Sequence, residues 1–248
     1  MPASWTDLGL MEYKKACKLQ TDLVNACRQD KEAGFFLILE HMPVYTLGRR
    51  GGLANLAVTP AFAASQGIDL VQVERGGDIT YHGPGQIILY PIISLHHFRL
   101  SVRGYIGILE EIMLRTARDY NIQAKRDVRS HGIWVRDQKM GSLGVAIRHG
   151  VTSHGLGLNI QTDLKPFTWI NPCGLTHTAM TSFFEQTGDR CNIEEVKAVM
   201  KNHCETLFRL KIRETFPHTP VHESLTSPAC LPNSVAPVTS YTSETETP

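Results

Sequence analysis

The spacing of hydrophobic residues predicts three helices. Apolar positions recur at helical intervals over residues 11–29, 101–120 and 194–210, so each segment would present one buried stripe. Ahead of the third segment, Asn192 is a favourable N-cap and Glu195 follows three positions later, which is typical of a helix start.

Short apolar or alternating runs between these helices predict strands. They are Phe35–Leu39, residues 68–74, Gln86–Ile93, Gly132–Arg136, Gly144–Ile147 and Val151–Ile160. Pro91 predicts that its strand lies at a sheet edge or contains a bulge. Turns at residues 137–138 and 148–150 join the last three strands. Strands mixed with a few non-alternating helices indicate an α+β fold that is mostly antiparallel in its second half.

The chain length and the proline distribution predict one domain followed by a tail. The 248 residues are 42% hydrophobic and 20% charged, which is enough to build a core without disulfides or metals. Six of the thirteen prolines fall in residues 217–248, a Ser/Thr-rich stretch that cannot offset its ordering entropy by apolar burial. We therefore expect a folded domain over residues 1–216 and a disordered tail over 217–248.

Charge and cysteine content exclude several classes of function. The formal net charge of +1 argues against a nucleic-acid surface. The six cysteines contain no CxxC pair, which argues against a structural zinc site or a secreted disulfide framework. The apolar runs are too short for a membrane span, and the start resembles neither a signal peptide nor a presequence. We expect a cytoplasmic protein.

The densest polar motif is Arg75–Gln86, with the sequence RGGDITYHGPGQ. Its four glycines allow the backbone to approach a ligand closely, and Arg75, Thr80, Tyr81 and His82 supply polar groups around it. No Gly-Lys-Ser/Thr follows, which excludes a P-loop, and no helix follows, which excludes a dinucleotide-binding turn. The alternative is a β-turn that carries these polar side chains but binds no ligand.

Two further glycine-rich motifs follow. Ser142-Leu143-Gly144 comes shortly after Lys139, and His154–Asn159 alternates glycine with leucine. Glycines at alternate strand positions remove side chains from one face and could leave a groove for an apolar ligand. The alternative is that the glycines form a barrel-like bend or a bulge and that no ligand binds there.

Cys173 is the cysteine placed to react rather than to pack. It lies between Pro172 and Gly174 in the segment Asn171–Leu175, which predicts a turn. Three other cysteines fall on predicted helical stripes, the usual place of a buried thiol: Cys17, Cys27 and Cys204.

A reactive thiol needs a lowered pKa, which a nearby ammonium can provide. Lys139 is the candidate, with a solvated surface lysine as the alternative. His82 or His154 could instead act as the base of a Cys/His pair. His82, His149 and His154 lack the spacing of metal ligands, so no metal is expected.

The motifs Arg75–Gln86, Lys139–Gly144, His154–Asn159 and Asn171–Gly174 resemble, in order and spacing, those of the lipoyl(octanoyl) transferases of lipoate biosynthesis. Residues 41–49 are similar to an early motif of that family, and the resemblance covers about residues 5–210. It implies the catalytic fold of biotin and lipoate protein ligases: a single α+β domain with mixed, mostly antiparallel sheets flanked by helices.

The resemblance also implies a function and a site. The family transfers an octanoyl group from octanoyl-acyl carrier protein to a lysine of lipoyl domains, in 2-oxoacid dehydrogenase complexes and the glycine cleavage H protein, without a cofactor. Cys173 matches the thioester nucleophile and Lys139 the lysine that lowers its pKa. Apart from the resemblance, His154 is a candidate accessory residue. The matching substrate-binding residues are Arg75, Gly76, Gly77, Asp78, Ile79, Thr80, Tyr81, His82, Ser142, Leu143, Gly144, Gly155, Leu156 and Gly157.

Three alternatives stay open. An ATP-dependent lipoate or biotin ligase of the same fold needs no cysteine nucleophile. An amidotransferase would move octanoyl between lipoyl domains through the same cysteine, and a non-catalytic acyl- or lipoyl-binding module would form no adduct. One departure from the family pattern is Met140-Gly141, where relatives more often have Ile or Val and then Ala or Cys; this is expected to loosen that wall of the site.

Overall fold

The computed structural model describes residues 3–30, 34–172 and 178–215. That part of the chain forms ten strands and five α-helices. The strands are β1 (Ala3–Met11), β2 (Gly34–His41), β3 (Val44–Leu47), β4 (Asp69–Gln72), β5 (Ile79–His82), β6 (Gln86–Ile92), β7 (Gly132–Val135), β8 (Gln138–Arg148), β9 (Val151–Asn159) and β10 (Ile212–Glu214). The helices are α1 (Tyr13–Gln29), α2 (Pro60–Ser65), α3 (Val102–Asp119), α4 (Phe183–Thr187) and α5 (Ile193–Phe208).

The strands form two mixed sheets. The large sheet has seven strands in the order β10-β1-β2-β6-β9-β8-β7, and the small sheet has three in the order β4-β3-β5. In the large sheet β1 runs parallel to β10 and β2, and every other neighbour is antiparallel. The second half of the chain thus supplies an antiparallel unit, β7-β8-β9, as its sequence predicts.

One face of the large sheet, which we call the α3 face, carries the main core. Strand residues of alternating position pack there against α3 and α5, because both helices present apolar stripes. The buried side chains include Phe36, Ile38, Ile87, Leu89, Leu156 and Leu158 from the sheet, and Leu109, Met113, Val196 and Met200 from the helices.

The opposite face, the α1 face, is covered in two parts. Helix α1 packs Ala16, Leu23 and Cys27 against Leu39 and Ile88 of the sheet. A separate apolar cluster lies between the small sheet and residues 164–170. Elsewhere on the α1 face β8 and β9 carry small and polar residues, among them Gly144, Gly157 and Asn159.

The three predicted helices are confirmed within about two residues at each end. Asn192 caps α5, since its Oδ1 accepts the Glu194 N–H at 3.1 Å. The predicted α+β class is likewise confirmed. The sequence pattern did not indicate β1, whose pairing with β2 shifts between Asp7 and Leu10, or β5, which forms inside the glycine-rich motif Arg75–Gln86.

The expectation that Pro91 marks an edge strand is wrong, since β6 is paired on both sides. Its ladder with β9 is nevertheless interrupted. Pairing stops at Leu89↔Leu156 and resumes in the same register at Ser94↔Val151, so Pro91 lies where the ladder is broken.

In the part of the chain that the structure describes, no helix is both long and apolar enough to span a bilayer. The tail predicted over residues 217–248 lies outside the described residues.

Candidate active site

A one-residue bulge in β8 decides where Lys139 points. Ile133 pairs with Gly141 but Trp134 pairs with Lys139, so Met140 is an extra residue opposite β7. Met140 joins the core on the α3 face. The bulge therefore turns Lys139 to the α1 face, where it shares a side of the sheet with Ser142.

The Lys139 side chain is buried but hydrogen-bonded. It is 1% exposed, and its Nζ donates to Ser130 Oγ at 2.7 Å. The same nitrogen lies 5.6 Å from the centre of the Trp134 ring, a weak cation–π contact. A surface lysine, the alternative left open by the sequence, is thereby excluded.

The backbone of Lys139 also pairs with the chain that follows Cys173. Its N–H donates to the Ala179 carbonyl, and the Thr181 N–H donates to the Lys139 carbonyl, both at 2.9 Å. Before the cysteine, the Asn171 N–H donates to the Asn55 carbonyl at 2.8 Å. Residues 173–177, with Cys173 and its predicted turn, lie outside the described residues, but both flanks are anchored to the site.

A chain of side-chain hydrogen bonds links three of the sequence motifs. His82 Nδ1–H donates to Gln86 Oε1 at 2.6 Å, and Gln86 Nε2 donates to Asn159 Oδ1 at 2.8 Å. Asn159 Nδ2 then donates to the Thr181 carbonyl at 3.0 Å. Since the Thr181 N–H donates to Lys139, this relay connects His82 to the lysine backbone.

The loop that begins with Arg75 fixes the small sheet to the large one. The guanidinium is buried and donates to the Thr46 carbonyl at 2.6 Å, to Thr46 Oγ1 at 2.7 Å and to the Gly76 carbonyl at 3.0 Å. The Gly76 N–H reaches the Val145 carbonyl of β8 at 2.9 Å. A methyl group on Gly144 would lie 2.8 Å from Arg75 Cδ, so this approach needs glycine.

The Gly/Leu alternation of β9 separates two environments. The side chains of Leu143 and Leu156 pack with the main core on the α3 face. A methyl group on Gly155 would overlap with the Leu89 carbonyl oxygen. On the α1 face, Gly157 leaves room for Gln86 and Ile88, whose side-chain atoms lie 3.2 Å from the position of its missing methyl. Any ligand contact of the two leucines would be through their backbone.

The predicted binding residues of β5 also alternate between an apolar and a polar environment. Ile79 and Tyr81 are buried in the apolar cluster of the small sheet. Thr80 is also buried and pairs with Thr46, next to Arg75. Just before the strand, Asp78 accepts from Asn55 Nδ2 and from the Ile79 N–H, each at 2.6 Å. The motif is thereby tied to Asn55, the residue that anchors the chain leading to Cys173.

Histidine and tyrosine rings form a buried cluster at the other end of the α1 face. His41 Nδ1–H donates to the Met11 carbonyl at 3.0 Å, so its Nε2 accepts the Tyr90 hydroxyl at 2.8 Å. The Tyr13 hydroxyl lies 3.4 Å from His154 Nδ1, and the Tyr13 ring stacks on His82 at 6.0 Å.

His154 adopts a left-handed conformation with φ of 56°, opposite the break in the ladder at Pro91. Its N–H donates to Gln20 Oε1 of α1 at 2.7 Å. The candidate accessory residue His154 therefore lies against Tyr13 and Gln20, where it contacts α1 from the sheet.

Burial keeps these histidines neutral. Desolvation lowers the pKa of His41 to about 4, and desolvation with the nearby Arg75 charge lowers the pKa of His154 to about 3. Burial, together with the neighbouring His41, holds the pKa of His82 well below its ordinary value. Neutral imidazoles fit the donor and acceptor roles of the three rings.

The buried thiols behave as packing groups. Burial raises the pKa of Cys27 and of Cys204, which are fully buried on α1 and α5. Among the described residues no group of three or more His, Cys, Asp or Glu side chains could hold a metal ion.

The expectation that Met140-Gly141 loosens the wall is wrong for this chain. A methyl on Gly141 would lie 2.6 Å from Met113 Sδ, so the thioether of α3 occupies that space. Met140 and Met113 are both fully buried. The sequence reasoning missed Ser130 and Tyr13, because neither lies in a local motif, and it gave no role to His41, although residues 41–49 resemble a family motif.

These features define a catalytic domain of the lipoate ligase fold. The family model described as lipoyl protein ligase A/B catalytic domain matches residues 12–205, and the chain belongs to that family. Its curated relatives are acyltransferases, and the chain is an enzyme of that class.

The relatives and solved structures agree on this class. An octanoyltransferase of Desulfotalea psychrophila is 45% identical over 205 residues, covering 82% of this chain and 92% of the relative. A mitochondrial octanoyltransferase of Arabidopsis thaliana is 42% identical over 190 residues, covering 76% and 81%. A crystal structure of lipoate-protein ligase A bound with ATP has a TM-score of 0.70 at 16% identity, covering 87% of this chain and 89% of that one, which shows a shared fold.

Proposed function

We propose that this enzyme transfers an octanoyl group from octanoyl-acyl carrier protein to a lysine of lipoyl domains, through a thioester on Cys173. The observation that carries the proposal is the placement of Lys139. Its side chain is buried on the α1 face, and its backbone is paired with the residues that directly follow the Cys173 segment. The octanoyltransferase names of the relatives support the same acyl group.

The chemistry proceeds in two displacements. The Cys173 thiolate attacks the thioester carbonyl of the donor, and the carrier thiol leaves with a proton from the Lys139 ammonium. The acceptor lysine amine then attacks the enzyme thioester, Lys139 takes its proton, and the Cys173 thiolate is released. The first step exchanges one thioester for another, and the second forms a more stable amide, so no ATP is required.

The reaction also needs hydrogen-bond donors for the oxyanion and a surface that binds the acyl chain. The backbone of Ser142–Gly144 lies beside Lys139 on β8, and we assign its amides to the oxyanion, at about 3 kcal/mol for each well-aimed donor. The acyl chain would lie against the segments Ser142–Gly144 and Gly155–Gly157, which the family resemblance assigns to the acyl site. At about 0.8 kcal/mol per buried CH₂, a seven-carbon tail contributes on the order of 5 kcal/mol to binding.

Intact-mass spectrometry after incubation with octanoyl-acyl carrier protein tests the proposal. We expect an octanoyl adduct on the wild type, removable by hydroxylamine, and no adduct on Cys173→Ala. Cys191→Ala is the control, because Cys191 is a free cysteine that is half-exposed. An adduct that persists in Cys173→Ala and resists hydroxylamine would mean that the thioester mechanism is wrong.

Lys139→Met should slow adduct formation by about 100-fold, the contribution of one acid–base group. Lys211→Met, which removes an exposed lysine, should have no effect. Transfer from free octanoate and ATP that survives in Cys173→Ala would identify a ligase instead. Transfer from an octanoylated lipoyl domain, with none from acyl carrier protein, would identify an amidotransferase.

A further inference from the structure

The side chain that accepts a hydrogen bond from the Lys139 ammonium lies on a loop outside the glycine-rich motifs. Ser130, between α3 and β7, accepts from Lys139 Nζ at 2.7 Å. A lysine side chain has four rotatable bonds and roughly 2 kcal/mol of rotamer entropy, so a partner at its tip decides where the nitrogen lies.

This loop is held by contacts that do not involve Lys139. Lys125 and Trp134 exchange two backbone hydrogen bonds, each of 2.8 Å. Glu110, a buried carboxylate on α3, accepts from the Gly132 N–H at 3.2 Å and from Arg126 Nε at 3.0 Å. Ser130 is therefore fixed from both sides and can hold the lysine, rather than follow it.

The ring of Trp134 adds a third constraint. Its Nε1–H approaches the Ser130 carbonyl at 3.4 Å, and it is fully buried. The Arg129 guanidinium lies 4.3 Å from the ring centre and pairs with Asp127 and Asp137. Trp134 therefore contacts both the backbone of the Ser130 loop and the Lys139 ammonium.

We propose that Ser130 is a positioning residue for Lys139, with Glu110 holding the loop that presents it; this rests on the proposed function of Lys139. A hydroxyl accepts a hydrogen bond from an ammonium and can donate one to a free amine. Ser130 can therefore keep the nitrogen in place in both protonation states that the two displacements require. An alanine at this position can do neither, and a threonine can do both.

The test compares Ser130→Ala with Ser130→Thr. We expect Ser130→Ala to lower the single-turnover rate of octanoyl transfer roughly tenfold, as for a lost hydrogen bond to a charged group, with KM for the lipoyl domain unchanged. Ser130→Thr should restore the rate. Ser65→Ala, which removes an exposed serine bonded to the Phe62 carbonyl, is the matched control and should match the wild type.

A second readout needs no turnover. Lys139 labelling by acetic anhydride, followed by peptide mass spectrometry, should be roughly tenfold faster in Ser130→Ala, because the ammonium has lost an acceptor. Glu110→Gln should move both readouts in the same direction by a smaller factor. Equal melting temperatures of the variants would show that the fold is intact.

The outcomes separate this proposal from the function on which it rests. If both the labelling rate and the transfer rate of Ser130→Ala stay within about twofold of wild type, Ser130 does not position the lysine. The proposal also fails if Ser130→Thr behaves like Ser130→Ala. An adduct that survives in Cys173→Ala overturns the proposed function instead, and the labelling experiment still decides the role of Ser130.

Discussion

The two faces of the large sheet use the same strands for opposite purposes. On the α3 face, Leu156 and Leu158 join a continuous apolar core. On the α1 face, the intervening positions of the same strand are Gly155, Gly157 and Asn159, next to the buried polar groups of the site. Strand alternation thus separates residues that stabilise the fold from residues that arrange the chemistry, within one ladder of backbone hydrogen bonds.

The difference lies in what each face must satisfy. Apolar side chains on the α3 face need only shape and volume. On the α1 face, buried polar atoms require partners, and the described residues show a long run of such partners from His82 to Thr181. We therefore expect truncations of apolar side chains on the α3 face to change stability alone, and truncations of hydrogen-bonded side chains on the α1 face to change activity as well.

The largest expected effect is on the α3 face. Leu109→Ala should lower the free energy of unfolding by about 2–5 kcal/mol, because Leu109 is fully buried between α3 and the sheet. Urea unfolding measures this loss. The folded fraction should retain the wild-type rate of transfer, and a rate that falls in proportion to stability would break the proposed separation of the faces.

The pH dependence of stability should come from the α1 face. The folded pKa values of His41 and His154 lie below their ordinary value of 6.5, so the unfolded chain binds protons first as the pH falls. Stability is fully present above pH 6.5 and is lost towards the folded values of about 4 and 3. Between about pH 6.5 and pH 5 we expect a loss on the order of 2 kcal/mol per histidine.

His154→Asn should reduce this dependence, since Asn tolerates the left-handed backbone of that position. His96→Gln is the control, because His96 is exposed. Unfolding curves at about pH 6.5 and pH 5, the window in which an ordinary histidine gains its proton, check both variants. Equal slopes in His154→Asn and the wild type would contradict the assignment.

A matched pair of glycines compares the faces directly. Gly155→Ala, where the new methyl meets the fixed Leu89 carbonyl, should cost about 1–3 kcal/mol. Gly141→Ala should cost less, because the methyl meets only the thioether of Met113 and two other side chains, which can shift. Thermal unfolding ranks the two variants, and the reverse order would mean that the core on the α3 face is the more rigid neighbour.

The relay is expected to affect activity more than stability. Asn159→Ala removes the bonds to Gln86 and Thr181, at about 1 kcal/mol of stability for each. Because Thr181 pairs with the backbone of Lys139, the substitution should also disturb the position of Lys139. The rate of adduct formation should therefore fall even when the variant is fully folded. Asn202→Ala, on the exposed side of α5, is the control. An unchanged rate in Asn159→Ala would remove the relay from the site.

Sequence patterns predicted the elements with strong local signals. The helical stripes of α1, α3 and α5 and the cap at Asn192 were of this kind, and the structure confirms them. Strand β5 was missed because glycines on both sides of it indicate a loop, and its partners are distant in sequence. Lys139 was found through its neighbours in a motif, but its burial depends on a bulge that no propensity marks. Ser130 was missed for the same reason, since only the tertiary fold brings its loop to the lysine.

The extra residue at Met140 also sets the parity of β8. Lys139 and Ser142 are three positions apart, an odd interval that in a regular strand would place them on opposite sides. Deleting Met140 would remove the bulge and leave an even interval, which keeps both side chains on one face, whereas inserting a residue beside the bulge would put them on opposite faces and send one into the apolar core. We therefore expect a one-residue insertion to be tolerated at the turn of residues 148–150 but not between Lys139 and Ser142.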